Sequence, residues 1–230
     1  MARIRLAPIA RAAGIALGIA SAALAQPAPE AAQPAKGRPR VGLVLSGGGA
    51  RGIAHIGVLR VLEQHRVPVD LITGTSMGSI IGGLYAAGYS PDEMEKIVDE
   101  IDWQDSFDDA PPRAHRSFRR KEDDRNFLTS LKLGIKKGGG IALPWGLVQG
   151  QKLNLILRRL FMPVAEIHDF DQLHVPFRAV STDVVTGKPE VHASGDLATA
   201  VRASMSLPGV FAPVEEGGKL LVDGGISNNT

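Results

Sequence analysis

The chain has 230 residues, a length that suits one domain with a short extension, and its hydrophobic content of 44% is ordinary for a protein with a core. The formal charge of +2 comes from the N-terminus: without the three arginines of residues 1–25, the 26 basic residues fall to 23, against 24 acidic ones. A near-neutral body offers no electrostatic basis for binding nucleic acid. The absence of cysteine excludes disulfide bonds, thiolate metal sites and a cysteine nucleophile.

The first 25 residues have the three parts of a secretory signal peptide. Arg3, Arg5 and Arg11 form a basic segment, an apolar run follows over residues 12–24, and Ala23 and Ala25 supply an A-x-A cleavage site. The apolar run is too short to span a bilayer. A buried N-terminal helix is the alternative, which the basic flank and the small-residue ending disfavour. We therefore expect an exported protein, located in the periplasm, at the outer membrane or outside the cell.

The rest of the chain divides into a linker and a folded domain. Residues 26–40 are rich in Pro and Ala and lack large apolar side chains, which predicts a flexible linker. The domain is predicted over residues 41–230, with a polar, mostly irregular insertion at 102–145. Strands are predicted at 41–45, 69–73, 177–183, 190–193 and 219–222, and helices at 50–65, 77–85, 91–101, 151–161 and 196–206.

The order of these elements predicts an α/β fold with a mainly parallel central sheet and helices on both faces. In such a sheet, the active crevice lies beyond the carboxyl ends of the strands. Three motifs in this sequence each follow a predicted strand. We therefore expect them to meet at one edge of the sheet.

The first motif is a glycine-rich loop between a strand and a helix. Residues without side chains there let backbone N–H groups point at an anion, with help from the helix dipole. The loop fits either a cradle for a dinucleotide pyrophosphate or an oxyanion hole. A dinucleotide site needs an acid at the end of the second strand, whereas Asp70 lies at its start. The residues of the loop are Gly47, Gly48, Gly49, Ala50, Arg51 and Gly52.

The second motif is a G-x-S-x-G pattern centred on Ser76, at the next strand-to-helix turn. Its glycines permit the tight backbone that lifts a serine hydroxyl out of the chain, and the helix N-terminus favours developing negative charge. A plain packing turn is the alternative, but the strand–turn–helix context favours a nucleophile. The flanking residues of this predicted nucleophile elbow are Gly74, Thr75, Met77 and Gly78.

A serine nucleophile needs a base, and two kinds of candidate are present. A triad of the α/β-hydrolase type needs a late histidine, for which the chain offers His174 or His192. The third motif, a D-G-G sequence that begins at Asp223, directly follows the last predicted strand. This carboxylate should lie on the same sheet edge as Ser76. A D-G-G sequence is also a common strand-ending turn, so it says little by itself.

Together the three motifs resemble the patatin-like phospholipase family, in which they occur in this order. Residues 41–46 resemble the family's first strand, and residues 203–211 resemble a stretch that the family carries before its aspartate. The resemblance covers residues 41–229. It implies a patatin-like fold and a serine–aspartate dyad that works without histidine.

In this family's dyad, Ser76 matches the nucleophile and Asp223 the general base, while Gly48 and Gly49 match the backbone donors of the oxyanion hole. The implied reaction is hydrolysis of carboxylic esters of lipids or phospholipids through an acyl-enzyme, without cofactor or metal. Two other classes stay open. One is a triad esterase, and the other is a non-catalytic protein that binds an anion or nucleotide at residues 47–52.

Three further expectations concern Arg51, the end of the domain and the composition of the insertion. Gly224 and Gly225 complete the D-G-G motif, and Arg51 matches a basic loop position with a structural or phosphate-binding role. Members of the family normally continue with further helix, so we expect the domain to be truncated at residue 230. The insertion is expected to form a lid or flap in transient contact with a membrane surface, with a solvated loop as the alternative. Its aromatic residues are Trp103, Phe107, Phe118, Phe127 and Trp145.

Overall fold

The structure is a computed structural model that describes residues 37–107, 109, 113–115, 117–119, 121–122, 134–135, 141–142 and 146–229. The predicted signal peptide (1–25) and most of the predicted linker (26–40) lie outside these residues. The chain divides into two units, Met1–Pro39 and Arg40–Thr230. All the helices and strands given below belong to the second unit.

Strands and helices alternate in the first half of this unit, as the sequence predicts. The strands are β1 (Gly42–Leu45), β2 (Leu71–Thr75), β3 (Gly134–Ile135), β4 (Ile141–Ala142), β5 (Gly146–Val148), β6 (Phe177–Asp183), β7 (Pro189–His192), β8 (Gly209–Phe211), β9 (Val214–Glu216) and β10 (Lys219–Asp223). The α-helices are α1 (His55–Gln64), α2 (Met77–Ala86), α3 (Pro91–Glu100), α4 (Trp103–Ser106), α5 (Gln151–Leu160) and α6 (Leu197–Ser204). Short 3-10 helices lie at Gly49–Ala54, Arg113–His115, Met162–Val164, Phe170–Gln172 and Gly224–Ile226.

The central sheet is mixed, which corrects the prediction of a mainly parallel one. The β1–β2 and β2–β6 pairs are parallel, whereas β6–β7, β6–β10 and β10–β9 are antiparallel. Connection length explains two of the three antiparallel pairs. Short turns join β6 to β7 and β9 to β10, and connections this short can only form hairpins. The strand–helix–strand pattern that predicts parallel pairing holds only for the first half of the domain.

Strands β2 and β10 lie end to end along one edge of β6. Each pairs with β6 residues that also pair with β7, so both must lie on the edge opposite β7. Because β2 is parallel and β10 antiparallel to β6, the two strands run towards each other. Their last residues, Thr75 and Asp223, stand beside the consecutive residues Val180 and Ser181. The residue that follows β2 is therefore brought to the end of β10.

Helices α2 and α6 pack against each other and cover one face of the sheet. The approach of α2 is close: a Cβ at Gly82 would lie 2.9 Å from Ile72 and 3.2 Å from Phe177. On the opposite face, Val44 and Val191 are each 56% exposed. Helices were predicted on both faces; among the described residues, these two valines mark a part of the second face that no helix covers.

Two predicted elements beside the glycine-rich loop differ from the prediction, and Asp70 explains one of the differences. The predicted helix 50–65 is a 3-10 helix followed by α1, and the predicted strand 69–73 is β2, which begins two residues later. The Asp70 carboxylate accepts a hydrogen bond from the Val41 N–H at 2.7 Å, and the Asp70 N–H donates to the Val41 carbonyl at 2.8 Å. Asp70 thus joins the starts of β1 and β2, at the strand ends remote from the glycine-rich loop. It therefore does not lie where a dinucleotide site needs an acid to bind the ribose.

The predicted insertion, residues 102–145, contains some regular structure where it is described. Asp102 caps α4 by accepting a hydrogen bond from the Asp105 N–H at 2.9 Å, and the Trp103 Nε1 donates to the Val98 carbonyl at 3.1 Å. Strands β3 and β4 form an antiparallel pair. Phe127 and Trp145 lie outside the described residues, so the predicted lid stays a prediction.

Candidate active site

The G-x-S-x-G turn places Ser76 at a sharp corner between β2 and α2. Ser76 has φ 52° and ψ −123°, and a non-glycine residue with such a φ stores about 1–3 kcal/mol of strain. Ser79 holds the corner from the helix side, because its N–H and its hydroxyl both donate to the Ser76 carbonyl, at 2.9 Å and 2.7 Å. This strained strand-to-helix turn is the geometry of a nucleophile elbow.

The glycines of this turn are required by close packing. A Cβ at Gly78 would overlap the carbonyl of Leu45 at the end of β1, and a Cβ at Gly74 would come within 2.5 Å of the Gly78 carbonyl oxygen. Met77 packs over Gly52, where a Cβ would lie 2.6 Å from the Met77 Cγ. Glycine at these positions therefore lets β1, the glycine-rich loop and α2 approach one another at backbone distance, and this approach forms the corner.

A buried hydroxyl from α6 supports the same corner. The Ser76 N–H donates to the Ser204 Oγ at 2.9 Å, and the Ser204 hydroxyl donates to the Val180 carbonyl at 2.6 Å. Ser204 is fully buried. This side chain therefore ties the strained residue to the central strand β6.

Thr75 brings the end of β2 against the D-G-G turn. Its side chain is fully buried, and its Cγ2 lies 3.2 Å from the position of a Cβ at Gly224. A Cβ at Gly224 would also overlap the Val180 carbonyl, so the turn has no room for a side chain there. Within the described residues, the Thr75 hydroxyl has no hydrogen-bond partner.

Asp223, the last residue of β10, is fixed through its backbone and its carboxylate. The Asp223 N–H donates to the Ser206 carbonyl at 3.0 Å, and the Thr182 hydroxyl donates to the Asp223 carbonyl at 3.0 Å. The Gly225 N–H donates to the Asp223 Oδ1 at 2.8 Å. The residue is only 6% exposed. A buried carboxylate on a rigid frame results.

The environment of Asp223 suits a general base. Burial raises the pKa of the Asp223 carboxyl, and the hydrogen bonds from the Gly225 N–H and the Ser76 side chain lower this pKa by smaller amounts. The effect of the Ser76 side chain on this pKa indicates that the Ser76 hydroxyl and the Asp223 carboxylate are neighbours. A carboxylate with a raised pKa accepts a proton more readily than an ordinary carboxylate does.

The glycine-rich loop lies against Ser76. A Cβ at Gly47 would stand 2.9 Å from the Ser76 Cβ. Gly48 has φ 153° and Gly49 has φ 57°, backbone conformations that favour glycine. The Gly47 N–H already donates to the Asn229 Oδ1 at 3.0 Å, so Gly48 and Gly49 are the better candidates for oxyanion donors.

The remaining residues of the predicted loop lie on its helical side. Ala50 and Arg51 are exposed, and the Arg51 N–H donates to the Gly48 carbonyl at 3.2 Å. Gly52 is buried beneath Met77. Because the Arg51 side chain is exposed, its role in structure or in phosphate binding stays a prediction.

His174 is far from the nucleophile. Its Cβ lies 4.0 Å from the position of a Cβ at Gly88, which follows the C-terminal end of α2. Ser76 precedes the N-terminal end of the same helix, and ten residues of helix span about 15 Å. His174 therefore cannot act as the base for Ser76 in this arrangement.

His192 is buried in a different network. Its Nε2 lies 2.7 Å from the Ser181 Oγ, and its Nδ1 lies 3.7 Å from the Glu216 Oε2. Burial lowers the pKa of His192, with Glu216 opposing that change. Both ring nitrogens face partners other than Ser76, so the geometry does not support a triad through His192.

Three residues at the site were not singled out by the sequence analysis: Ser204, Thr182 and Asn229. Ser204 lies in the stretch 203–211 that carries part of the family resemblance, which is the one signal that could have found it. Asn229 follows the D-G-G motif closely but carries no local pattern of its own.

Within the described residues, no group of three or more His, Asp or Glu side chains is placed to hold a metal ion. None of the helices described has the length and hydropathy of a membrane span.

Comparison with known proteins gives the chain's relatives. The family profile described as "Patatin-like phospholipase" matches residues 43–230. A patatin-like phospholipase domain-containing protein from Caenorhabditis elegans is 37% identical over 191 residues. Lysophospholipase NTE1 from Mycosarcoma maydis is 34% identical over 189 residues. Each alignment covers 82% of this chain but only 12% and 8%, respectively, of those much longer relatives.

A solved structure has a similar fold. VipD from Legionella pneumophila superposes with a TM-score of 0.52, over 84% of this chain and 47% of VipD. The sequence identity is 17%, so the likeness concerns the fold alone. It agrees with a mixed sheet flanked by helices.

Proposed function

Because the chain belongs to the patatin-like phospholipase family, we propose that it hydrolyses carboxylic esters of lipids, with Ser76 as nucleophile and Asp223 as general base. One observation carries the proposal. Ser76 stands at a strained strand-to-helix corner beside a buried carboxylate whose pKa is raised by burial. A lone packing turn needs neither the strain nor the buried acid.

In the acylation step, Asp223 takes the proton of the Ser76 hydroxyl as the Ser76 Oγ attacks the acyl carbon. The carbonyl oxygen becomes an oxyanion, which the N–H groups of Gly48 and Gly49 stabilise. The intermediate then collapses: the bond to the alcohol breaks, and the alcohol leaves with the proton held by Asp223. An acyl ester on Ser76 remains.

In the deacylation step, a water molecule takes the place of the alcohol. Asp223 removes a proton from this water as its oxygen attacks the acyl carbon, and the same loop N–H groups hold the second oxyanion. Collapse releases the fatty acid, and the proton on Asp223 returns to the Ser76 oxygen. The cycle consumes one water and needs neither metal nor cofactor, so a chelator should leave turnover unchanged.

The substrate class follows from the family rather than from a pocket. One relative is named a lysophospholipase, which favours an ester of a glycerophospholipid as the substrate here. The direct test is labelling by a fluorophosphonate, followed by mass spectrometry of the labelled peptide. We expect the label on Ser76, with loss of labelling in Ser76→Ala and not in the exposed-serine control Ser194→Ala. A folded parent chain that does not label would contradict the proposal.

We also propose transient contact with a lipid surface. The supporting observation is Phe118, an aromatic side chain that is 79% exposed in the insertion. Exposed aromatic residues beside basic ones favour membrane interfaces. Phe118→Ser should reduce sedimentation with phosphatidylglycerol vesicles, whereas Met162→Ser, at a site that is 67% exposed outside the insertion, should not. Equal sedimentation of the two variants would contradict this part.

Export stays a proposal based on residues 1–25. The pattern of basic, apolar and small residues there is that of a signal peptide. Expression of the full chain in a Gram-negative host, followed by fractionation, should recover a product that starts at Gln26 outside the cytoplasm. An uncleaved product confined to the cytoplasm would contradict it.

A further inference from the structure

Asn229 links the two halves of the candidate site. Its Oδ1 accepts a hydrogen bond from the Gly47 N–H at 3.0 Å, across 182 residues of sequence. Gly47 is the first residue of the glycine-rich loop, and Asn229 follows the D-G-G turn that carries Asp223. One side-chain amide therefore joins the turn of the proposed base to the loop of the proposed oxyanion hole.

The glycines on either side of this amide leave the space that it occupies. A Cβ at Gly47 would stand 2.9 Å from the Asn229 Oδ1, and a Cβ at Gly225 would stand 3.3 Å from the same oxygen. A side chain at Gly47 would also press on the Ser76 Cβ, 2.9 Å away. The missing side chains at Gly47 and Gly225 thus leave the space in which the amide lies, immediately beside the nucleophile.

The contact also decides which loop donors are free for catalysis. Because the Asn229 Oδ1 occupies the Gly47 N–H, an oxyanion must rely on the later loop residues, Gly48 and Gly49. Their φ values of 153° and 57° are conformations that glycine adopts readily, so the loop itself does little to fix where these N–H groups point. We propose that Asn229 is a positioning residue that anchors the loop through Gly47 and so aims the Gly48 and Gly49 N–H groups at the oxyanion. The proposal rests on the proposed serine hydrolase function.

A positioning role predicts a loss that appears in kcat and not in KM. The amide touches the loop rather than the substrate, so substrate binding should be spared. We expect Asn229→Ala and the near-isosteric Asn229→Leu to lower kcat about tenfold. This loss corresponds to about one hydrogen bond and is smaller than the ~10²-fold loss in kcat that follows removal of an oxyanion donor. Asn229→Asp keeps an acceptor for the Gly47 N–H and should stay closer to the parent. The exposed amide variant Gln172→Ala, outside the site, serves as the control.

A transition-state analogue separates positioning from general damage. A trifluoromethyl ketone forms a hemiketal oxyanion on Ser76, so its Ki reports the oxyanion hole directly. In Asn229→Leu, the Ki should rise by the same factor by which kcat/KM falls, with an unchanged melting temperature. A variant that keeps the parent's kcat and Ki would overturn the inference. So would failure of both Asn229→Ala and Asn229→Leu to fold, because the amide would then serve folding alone.

A second readout does not depend on activity. With selective ¹⁵N-glycine labelling, the Gly47 amide should exchange slowly with solvent in the parent and faster in Asn229→Leu. If the parent neither labels with fluorophosphonate nor turns over ester, the proposed function fails while this readout still reports the anchor. Fast exchange of the Gly47 amide in the parent would overturn the anchor itself.

Discussion

Ser204 and Ser76 are joined by a hydrogen bond from the Ser76 N–H to the Ser204 Oγ, 2.9 Å long, at the strained corner of the site. Removing this oxygen leaves a partly buried N–H without its partner, which costs about 1–3 kcal/mol. We expect Ser204→Ala to unfold at lower urea concentration than the parent and to lose more kcat than the exposed control Ser194→Ala. Parental stability and kcat in Ser204→Ala would show that the corner does not depend on this bond.

Gly78 tests the close packing of the elbow. A methyl group at Gly78 would overlap the Leu45 carbonyl, so Gly78→Ala should destabilise the fold by at least the ~1–3 kcal/mol typical of overpacking. The matched control is Gly57→Ala on the exposed side of α1, where an added Cβ meets nothing within 4 Å. That change should stabilise the protein by about 0.5–1 kcal/mol through helix propensity. Urea unfolding measures both, and equal effects would contradict the packing described here.

The raised pKa of Asp223 predicts a pH dependence of activity. The base must be ionised, so kcat/KM should fall as the pH drops through the folded-state pKa of Asp223. Because burial raises that pKa, the fall should occur at a higher pH than for an ordinary aspartate. A pH–rate profile measures this. An acid limb at the ordinary aspartate value would mean that Asp223 is not the titrating base.

The same pKa shift predicts a pH dependence of stability. A carboxyl whose folded pKa is raised favours folding when it is protonated, and this contribution is lost as the pH rises through the folded pKa. Asp223→Asn is neutral at every pH. It should therefore melt at a higher temperature than the parent at neutral pH, with a difference that shrinks as the pH falls through the folded-state pKa and levels off below the unfolded-state pKa. A constant difference across this range would contradict the burial argument.

Substitution of His174 and His192 distinguishes a serine–aspartate dyad from a triad that uses a histidine base. His174→Ala and His192→Gln should each keep kcat within about threefold of the parent, since a catalytic base contributes ~10²- to 10⁴-fold or more. The glutamine can still hydrogen-bond to Ser181, which preserves the buried contact of His192. A drop in either variant to the level of Ser76→Ala would return the triad to consideration.

The sequence predicted where Ser76 and Asp223 meet, but by an incomplete argument. The expectation was that parallel strands share one carboxyl edge. Strand β10 is in fact antiparallel to β6, and its end reaches Ser76 because β2 and β10 meet head to head along the edge opposite β7. Pairing direction depends on which strands become neighbours, and a local pattern of apolar residues does not contain that information.

The supporting residues were harder to predict than the motifs. Glycine and serine at a strand-to-helix turn form a local pattern, which the sequence displays. The bonds from Ser204 to Ser76 and from Asn229 to Gly47 join residues 128 and 182 positions apart. No spacing rule links such pairs, so only the folded arrangement reveals them.

The central claim is tested most directly by the kcat/KM for hydrolysis of a fluorogenic acyl ester by the parent, Ser76→Ala, Asp223→Asn and the control Ser194→Ala. The dyad predicts full activity in the control and losses of at least about 10⁴-fold in both site variants, with no further loss in the double variant because the two residues act as a unit. Folded Ser76→Ala or Asp223→Asn protein that turns over ester at the parent's rate would contradict the account.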